Sequence, residues 1–132
     1  MPAKLSSPPL QDAPLALVVF GGACALPWLR LLRPGFRHCF LLRRCAEGWL
    51  FYDPRSDRTE LAVWPPCDME LLVKSLGERG YTAIPTPLPP AERRAAPLGP
   101  FTCVEAVKRV LGIRRRRIVT PWQLYRHLNP RG

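Results

Sequence analysis

FRHCFLLRRCAEGWLFYDP, residues 36–54, decides the fold. Two runs rich in aromatic and aliphatic side chains, 36–44 and 48–54, flank the short turn CAEG at 45–48. That pattern predicts a β-hairpin, because bulky apolar side chains suit a pleated surface and a polar Gly-bearing stretch suits a reversal. Upstream, LALVVF (15–20) predicts a buried strand, GGA a turn, and PWLRLL (27–32) a single helical turn closed by Pro34-Gly35. Downstream, TELAVW (59–64) predicts a third hairpin-connected strand after the polar turn RSDR.

The remainder alternates. Residues 68–80 begin with Asp68, place apolar residues at 69, 72, 73 and 76, and end in Gly80, which predicts an amphipathic helix. YTAIPT (81–86) predicts a short strand, and 87–99 a proline-rich loop. A helix then starts at Pro100 or Thr102, carries Val104, Val107, Val110 and Leu111, and stops at Gly112. Thr120 and Pro121 open a last short helix that reaches Leu128. The expected class is α+β, an antiparallel sheet with helices packed on one side. Residues 1–13 are expected to form a flexible tail and 14–132 a single domain.

With 132 residues, 47% of them hydrophobic, the chain can bury a core and is not a disordered tail. The formal net charge is +10, and only Lys4, Lys74 and Lys108 are lysines, so arginine carries most of it. Such a balance favours nucleic acid or another polyanion as partner. A chain rich in Ala, Pro, Leu and Arg together also reflects a GC-rich coding sequence. Five cysteines, at 24, 39, 45, 67 and 103, lack CxxC spacing. The two histidines do not complete a zinc set, and no cofactor motif is legible. Reduced thiols in a cytoplasm are the expectation. PLALVVFGGACA (14–25) has the apolar character of a signal-peptide core, yet Lys4 is the one basic residue ahead of it and Asp12 intervenes. It reads equally well as a buried strand. No run approaches the roughly 20 apolar residues of a membrane span.

The chemistry-bearing residues are Cys103, His38 and Asp53. Cys103 falls in the first turn of its helix, where unpaired N–H groups and the helix dipole stabilise a thiolate and could also donate to an oxyanion. Side chains two apart on a strand share a face, so His38, Phe40 and Leu42 align, as do Trp49, Phe51 and Asp53. If the turn is centred on Ala46-Glu47, Phe40 faces Asp53 and His38 is its diagonal neighbour. A tighter turn places His38 opposite Asp53. Both registers put an imidazole and a carboxylate on one face, the base-and-orienter pair that activates a cysteine. Each residue also has a plain alternative: a core cysteine, a histidine packed among aromatics, a turn aspartate before Pro54.

The order of histidine strand, acid strand and later cysteine helix resembles the circularly permuted papain-like (permuted NlpC-type) cysteine hydrolases, including the YiiX-like and lecithin retinol acyltransferase-like families. RHCFLL matches their histidine strand, GWLFYDP the strand of the third polar residue, and CVEAV (103–107) their Cys-x-Glu-x-aliphatic motif. The resemblance spans about residues 36–112. It implies a permuted papain-like core, with Cys103 as nucleophile, His38 as general base and acid, and Asp53 as the partner that orients the imidazole. It also implies that the Cys103 N–H forms part of an oxyanion hole. Thr102 and Gln123 are the polar candidates for its second donor. The connection from hairpin to cysteine departs from the family pattern by holding an extra helix and a proline loop.

Two function classes follow. One is a small peptidase- or amidase-like hydrolase acting on a peptide, amide or ester through a thioester, or a degenerate relative with a structural role. The other is a non-catalytic basic module, in which Arg114 to Arg117 would bind nucleic acid or an acidic partner. His127 and the four tryptophans read as packing or surface residues rather than a base-stacking platform.

Overall fold

A strand whose side chains are apolar on both faces needs cover on both. LALVVF is such a run, and in the computed structural model, which describes residues 15–22, 33–55, 58–89 and 102–130, it is the interior strand β1 (Leu15–Gly21). Every residue from Ala16 to Phe20 is fully buried. The other described strands are β2 (His38–Cys45), β3 (Gly48–Pro54), β4 (Thr59–Trp64) and β5 (Thr82–Pro87). They form one antiparallel sheet in the order β4-β3-β2-β1-β5. The first four strands are neighbours in sequence order. The fifth returns to the far edge beside β1, after the helix α1 (Met69–Glu78).

The helices occupy both faces, which corrects the one-sided arrangement expected from the sequence. Leu72 and Leu76 of α1 cover Leu17, Val19, Phe40, Leu42 and Trp49. On the opposite face α2 (Cys103–Leu111) and α3 (Pro121–Leu128) set Val104, Val107, Leu111 and Leu124 against Ala16, Val18, Phe20, Cys39 and Leu41. The physical reason lies in β1 itself. A half-covered strand would alternate apolar and polar, and 15–20 does not.

The local signals act as their chemistry demands. The β2–β3 turn has two residues, Ala46 and Glu47, between the paired Cys45 and Gly48. Gly48 takes φ 141°, and a Cβ there would lie 2.0 Å from the Trp64 carbonyl oxygen, so only glycine fits. Thr102 caps α2 by accepting from the Glu105 N–H at 3.2 Å, which places the helix start at Cys103 rather than at Pro100. Gly112, at φ 72°, ends it, and the Ile113 N–H closes back onto the Lys108 carbonyl at 2.9 Å. Asp68 occupies the N-cap position of α1, but its side chain makes no capping bond. The expected tail 1–13, the turn at 27–32, most of the proline loop (90–99), Cys24 and Trp28 lie outside the described residues. No helix among the described residues is long and apolar enough to cross a membrane.

Candidate active site

Three chain ends converge at one rim of the sheet. His38 opens β2, Asp53 lies one residue from the end of β3, and Cys103 is the first residue of α2. The β2–β3 register pairs Leu42 with Phe51 and Leu41 with Tyr52. Continued by one residue it sets Phe40 opposite Asp53, so His38 is the diagonal neighbour, as the Ala46-Glu47 turn requires. The imidazole spans that diagonal: His38 Nε2 lies 2.5 Å from Asp53 Oδ1, a short charge-assisted hydrogen bond.

Asp53 is 1% exposed, and its second oxygen accepts from Arg55 Nε at 2.8 Å. Burial alone would raise this carboxyl. The hydrogen bonds from His38 and Arg55 outweigh burial and hold it below the usual carboxylate range. Asp53 therefore stays ionised and anchors the ring. Arg55 went unread in the sequence, although a residue two beyond Asp53 on an extended segment shares its face.

Nε2 is committed to Asp53, and Cys103 lies near enough to the same imidazole for the two to shift each other's titration. Cys103 also takes a side-chain and a backbone hydrogen bond from Cys39. The head of α2 thus meets the first two residues of β2, and one sulfur touches both. The Cys39 bond lowers the Cys103 thiol most; burial opposes, and the His38 hydrogen bond and charge lower it further, to about 5. For His38, burial pulls downward. The Asp53 hydrogen bond and then the Cys103 interaction override it and raise the ring to about 9. Cys39 moves the other way: it is fully buried, and its thiol is pushed well above the ordinary range by burial first and by neighbouring Cys103. It stays a thiol and donates.

Between about pH 5 and pH 9 the pair is thereby a thiolate beside an imidazolium. Helix geometry leaves the N–H groups of Cys103 and Val104 without intrahelical acceptors, since Glu105 N–H goes to the Thr102 side chain and Ala106 N–H to its carbonyl. N–H groups at the head of a helix are the ones that could receive an oxyanion forming at the Cys103 sulfur.

The two side chains considered as a further oxyanion donor each place an oxygen in a helix cap as acceptor. Thr102 Oγ1 caps α2. Gln123 Oε1 accepts from the Val119 and Thr120 N–H groups at 2.8 and 3.0 Å, closing the capping box of α3. Glu105, the acid of the CVEAV motif, pairs with Lys108 at 3.2 Å and Arg109 at 3.6 Å. Lys108 is itself only 3% exposed and also donates to the Ile118 carbonyl at 2.9 Å. It fastens α2 to the segment that leads into α3. Nothing in the sequence distinguishes this buried lysine from a surface one.

The other candidates stand apart from the rim. Arg114 to Arg117 are all exposed in the α2–α3 connection, and His127 is exposed on α3. Trp122 stacks on Tyr125, with ring centroids 5.4 Å apart, and the Arg33 guanidinium lies 3.8 Å from its centre. Trp49 is buried and donates from Nε1 to the Cys67 carbonyl at 3.0 Å. Cys39, Cys45, Cys67 and Cys103 are free thiols. Compared with family models, with curated proteins and with solved structures, the chain finds no match in any of the three.

Proposed function

We propose that this chain is a small cysteine hydrolase that cleaves a peptide, amide or ester bond through a thioester. One observation carries the proposal: Cys103, His38 and Asp53 form an unbroken chain of side-chain contacts. In it the thiol is shifted to about 5 and the imidazole to about 9. The Cys103 thiolate attacks the carbonyl carbon, and the N–H groups at the head of α2 receive the oxyanion. The His38 imidazolium gives its proton to the leaving amine or alkoxide as the bond breaks. Now neutral, His38 takes a proton from water, the hydroxide equivalent attacks the thioester, and acid and thiolate are released. Asp53 keeps the ring oriented throughout and stabilises its cationic form. The arrangement is similar to that of the permuted papain-like hydrolases, and a peptidase or amidase is the class it suits best.

The test is iodoacetamide alkylation as a function of pH, mapped to each cysteine by mass spectrometry. Fast labelling of Cys103 with a midpoint near pH 5, slowed in His38→Ala, is expected. Labelling that follows an ordinary thiol regardless of His38 sinks the reading. A second reading, a basic binding module, has the exposure of Arg114 to Arg117 in its favour. It requires affinity for a polyanion that falls steeply with salt and drops when these arginines are replaced.

A further inference from the structure

On the sheet face opposite the head of α2, a cavity of about 460 Å³ opens beneath α1. Its volume lies within the range of small-molecule sites. His38 and Asp53 form one end, and Cys103 is not part of its lining. The flat wall is aromatic. Phe51 stacks on Trp64 with ring centroids 4.9 Å apart and planes at 16°, and Tyr81 meets Phe40 edge-on at 5.7 Å. The rim is stiff, because Pro65 and Pro66 line it and the buried Trp49 holds the next carbonyl, that of Cys67. The cavity is therefore largely preformed.

Its charge is one-sided. Asp53 is neutralised within its own pair of contacts, His38 and Arg55. Arg79 also lines the cavity, is exposed, and has no ion-pair partner among the described residues. Among the described residues no other acidic side chain lines it. A guanidinium at the edge of an aromatic wall recognises a planar apolar body that carries an acidic group.

We propose that this cavity is a binding site for a small planar, apolar anion, with its ring against Phe51 and Trp64 and its acidic group on Arg79. The site is distinct from the thiol and does not depend on the hydrolase reading. Anilinonaphthalene sulfonate is the probe, and its uncharged analogue N-phenylnaphthylamine is the comparison. Both are titrated by fluorescence into the wild type, Cys103→Ser, Ser75→Trp and Arg79→Glu. Ser75 lies on the exposed side of α1 and lines the cavity, so a tryptophan there fills it without disturbing the core.

The sulfonate should bind one-to-one to the wild type and to Cys103→Ser. It should weaken about tenfold or more in Ser75→Trp and about tenfold in Arg79→Glu, while the uncharged analogue changes less than about twofold in Arg79→Glu. Circular dichroism verifies that each variant is folded. Sulfonate affinity that survives either substitution, or an analogue that loses as much as the sulfonate on charge reversal, overturns the proposal. Such a result would place the dye on exposed apolar residues such as Leu61 and Val63 of β4.

Discussion

The start of β2 and the head of α2 each present a cysteine to the other, and the two behave oppositely. Cys39 is fully buried in the sheet, and its thiol is pushed well up. Cys103 is half-buried, and its thiol is pulled down to about 5. Burial acts on both in the same direction, so burial does not distinguish them. The difference is what each sulfur meets. Cys103 has a donor thiol, a backbone N–H, an imidazolium and the head of a helix; Cys39 has the thiolate itself. A reactive cysteine is thus defined by converging donors rather than by exposure.

The most drastic way to break the comparison is to remove the nucleophile. Cys103→Ser keeps the shape and loses the thiolate, and turnover on a responsive amide or ester should fall by about 10⁴-fold or more. Full activity retained in that variant would mean the wrong sulfur has been chosen, and Cys39→Ser would then be measured in its place.

The next effect belongs to the imidazole. In His38→Ala, Cys103 loses a hydrogen bond and a neighbouring cation, so its thiol climbs back toward the ordinary 8.5. At pH 6 the thiolate fraction and the alkylation rate should drop about tenfold, since the Cys39 hydrogen bond stays in place. The wild-type pH dependence fixes the sign independently. Labelling should rise as pH passes about 5, where Cys103 deprotonates. Hydrolysis should fall as pH passes about 9, where His38 loses the proton it must deliver. A hydrolysis profile with a single ascending limb near pH 8 contradicts the pair.

The far end of the same hairpin provides a contrast in stability alone. Gly48→Ala forces a Cβ toward the Trp64 carbonyl at a backbone angle that L residues rarely adopt. It should cost roughly 2 kcal/mol or more in denaturant unfolding. The Cys103 labelling midpoint should not move, because the turn lies at the opposite end of β2 and β3 from His38 and Asp53. A shifted midpoint would show that the hairpin transmits strain to the site.

What the sequence made legible follows from the range of the forces involved. The hairpin register, the Thr102 and Thr120 caps and the Gly112 stop are fixed by residues within a few positions of one another, and each is readable from its neighbours. The shared face of His38 and Asp53 is readable for the same reason, whereas the choice of the diagonal over a directly opposite pairing waits on the turn length that the structure sets. Cys39 and Lys108 were not readable. Their roles depend on which helix face lands on which strand end, a tertiary fact that spacing does not carry. The two-sided cover of the sheet was written in the unbroken apolar run 15–20 but is easily read as mere burial. Gln123, a candidate oxyanion donor by polarity, places its Oε1 in the cap of α3, a role that its position three residues after Thr120 also encodes.

The finest prediction concerns Cys39 itself. If its S–H is the donor that most lowers Cys103, then Cys39→Ala should raise the labelling midpoint by about one unit and slow labelling at pH 5 several-fold. Cys39→Ser should restore most of the shift, because a hydroxyl donates where a methyl cannot. Both variants remove a sulfur from the same fully buried position and should lose about 1 kcal/mol or more of stability. A purely structural role would therefore weaken both proteins and leave the Cys103 midpoint in place. A midpoint that moves in the alanine variant and returns in the serine variant separates the two roles. Equal midpoints in both would assign the low value to His38 and the helix head alone.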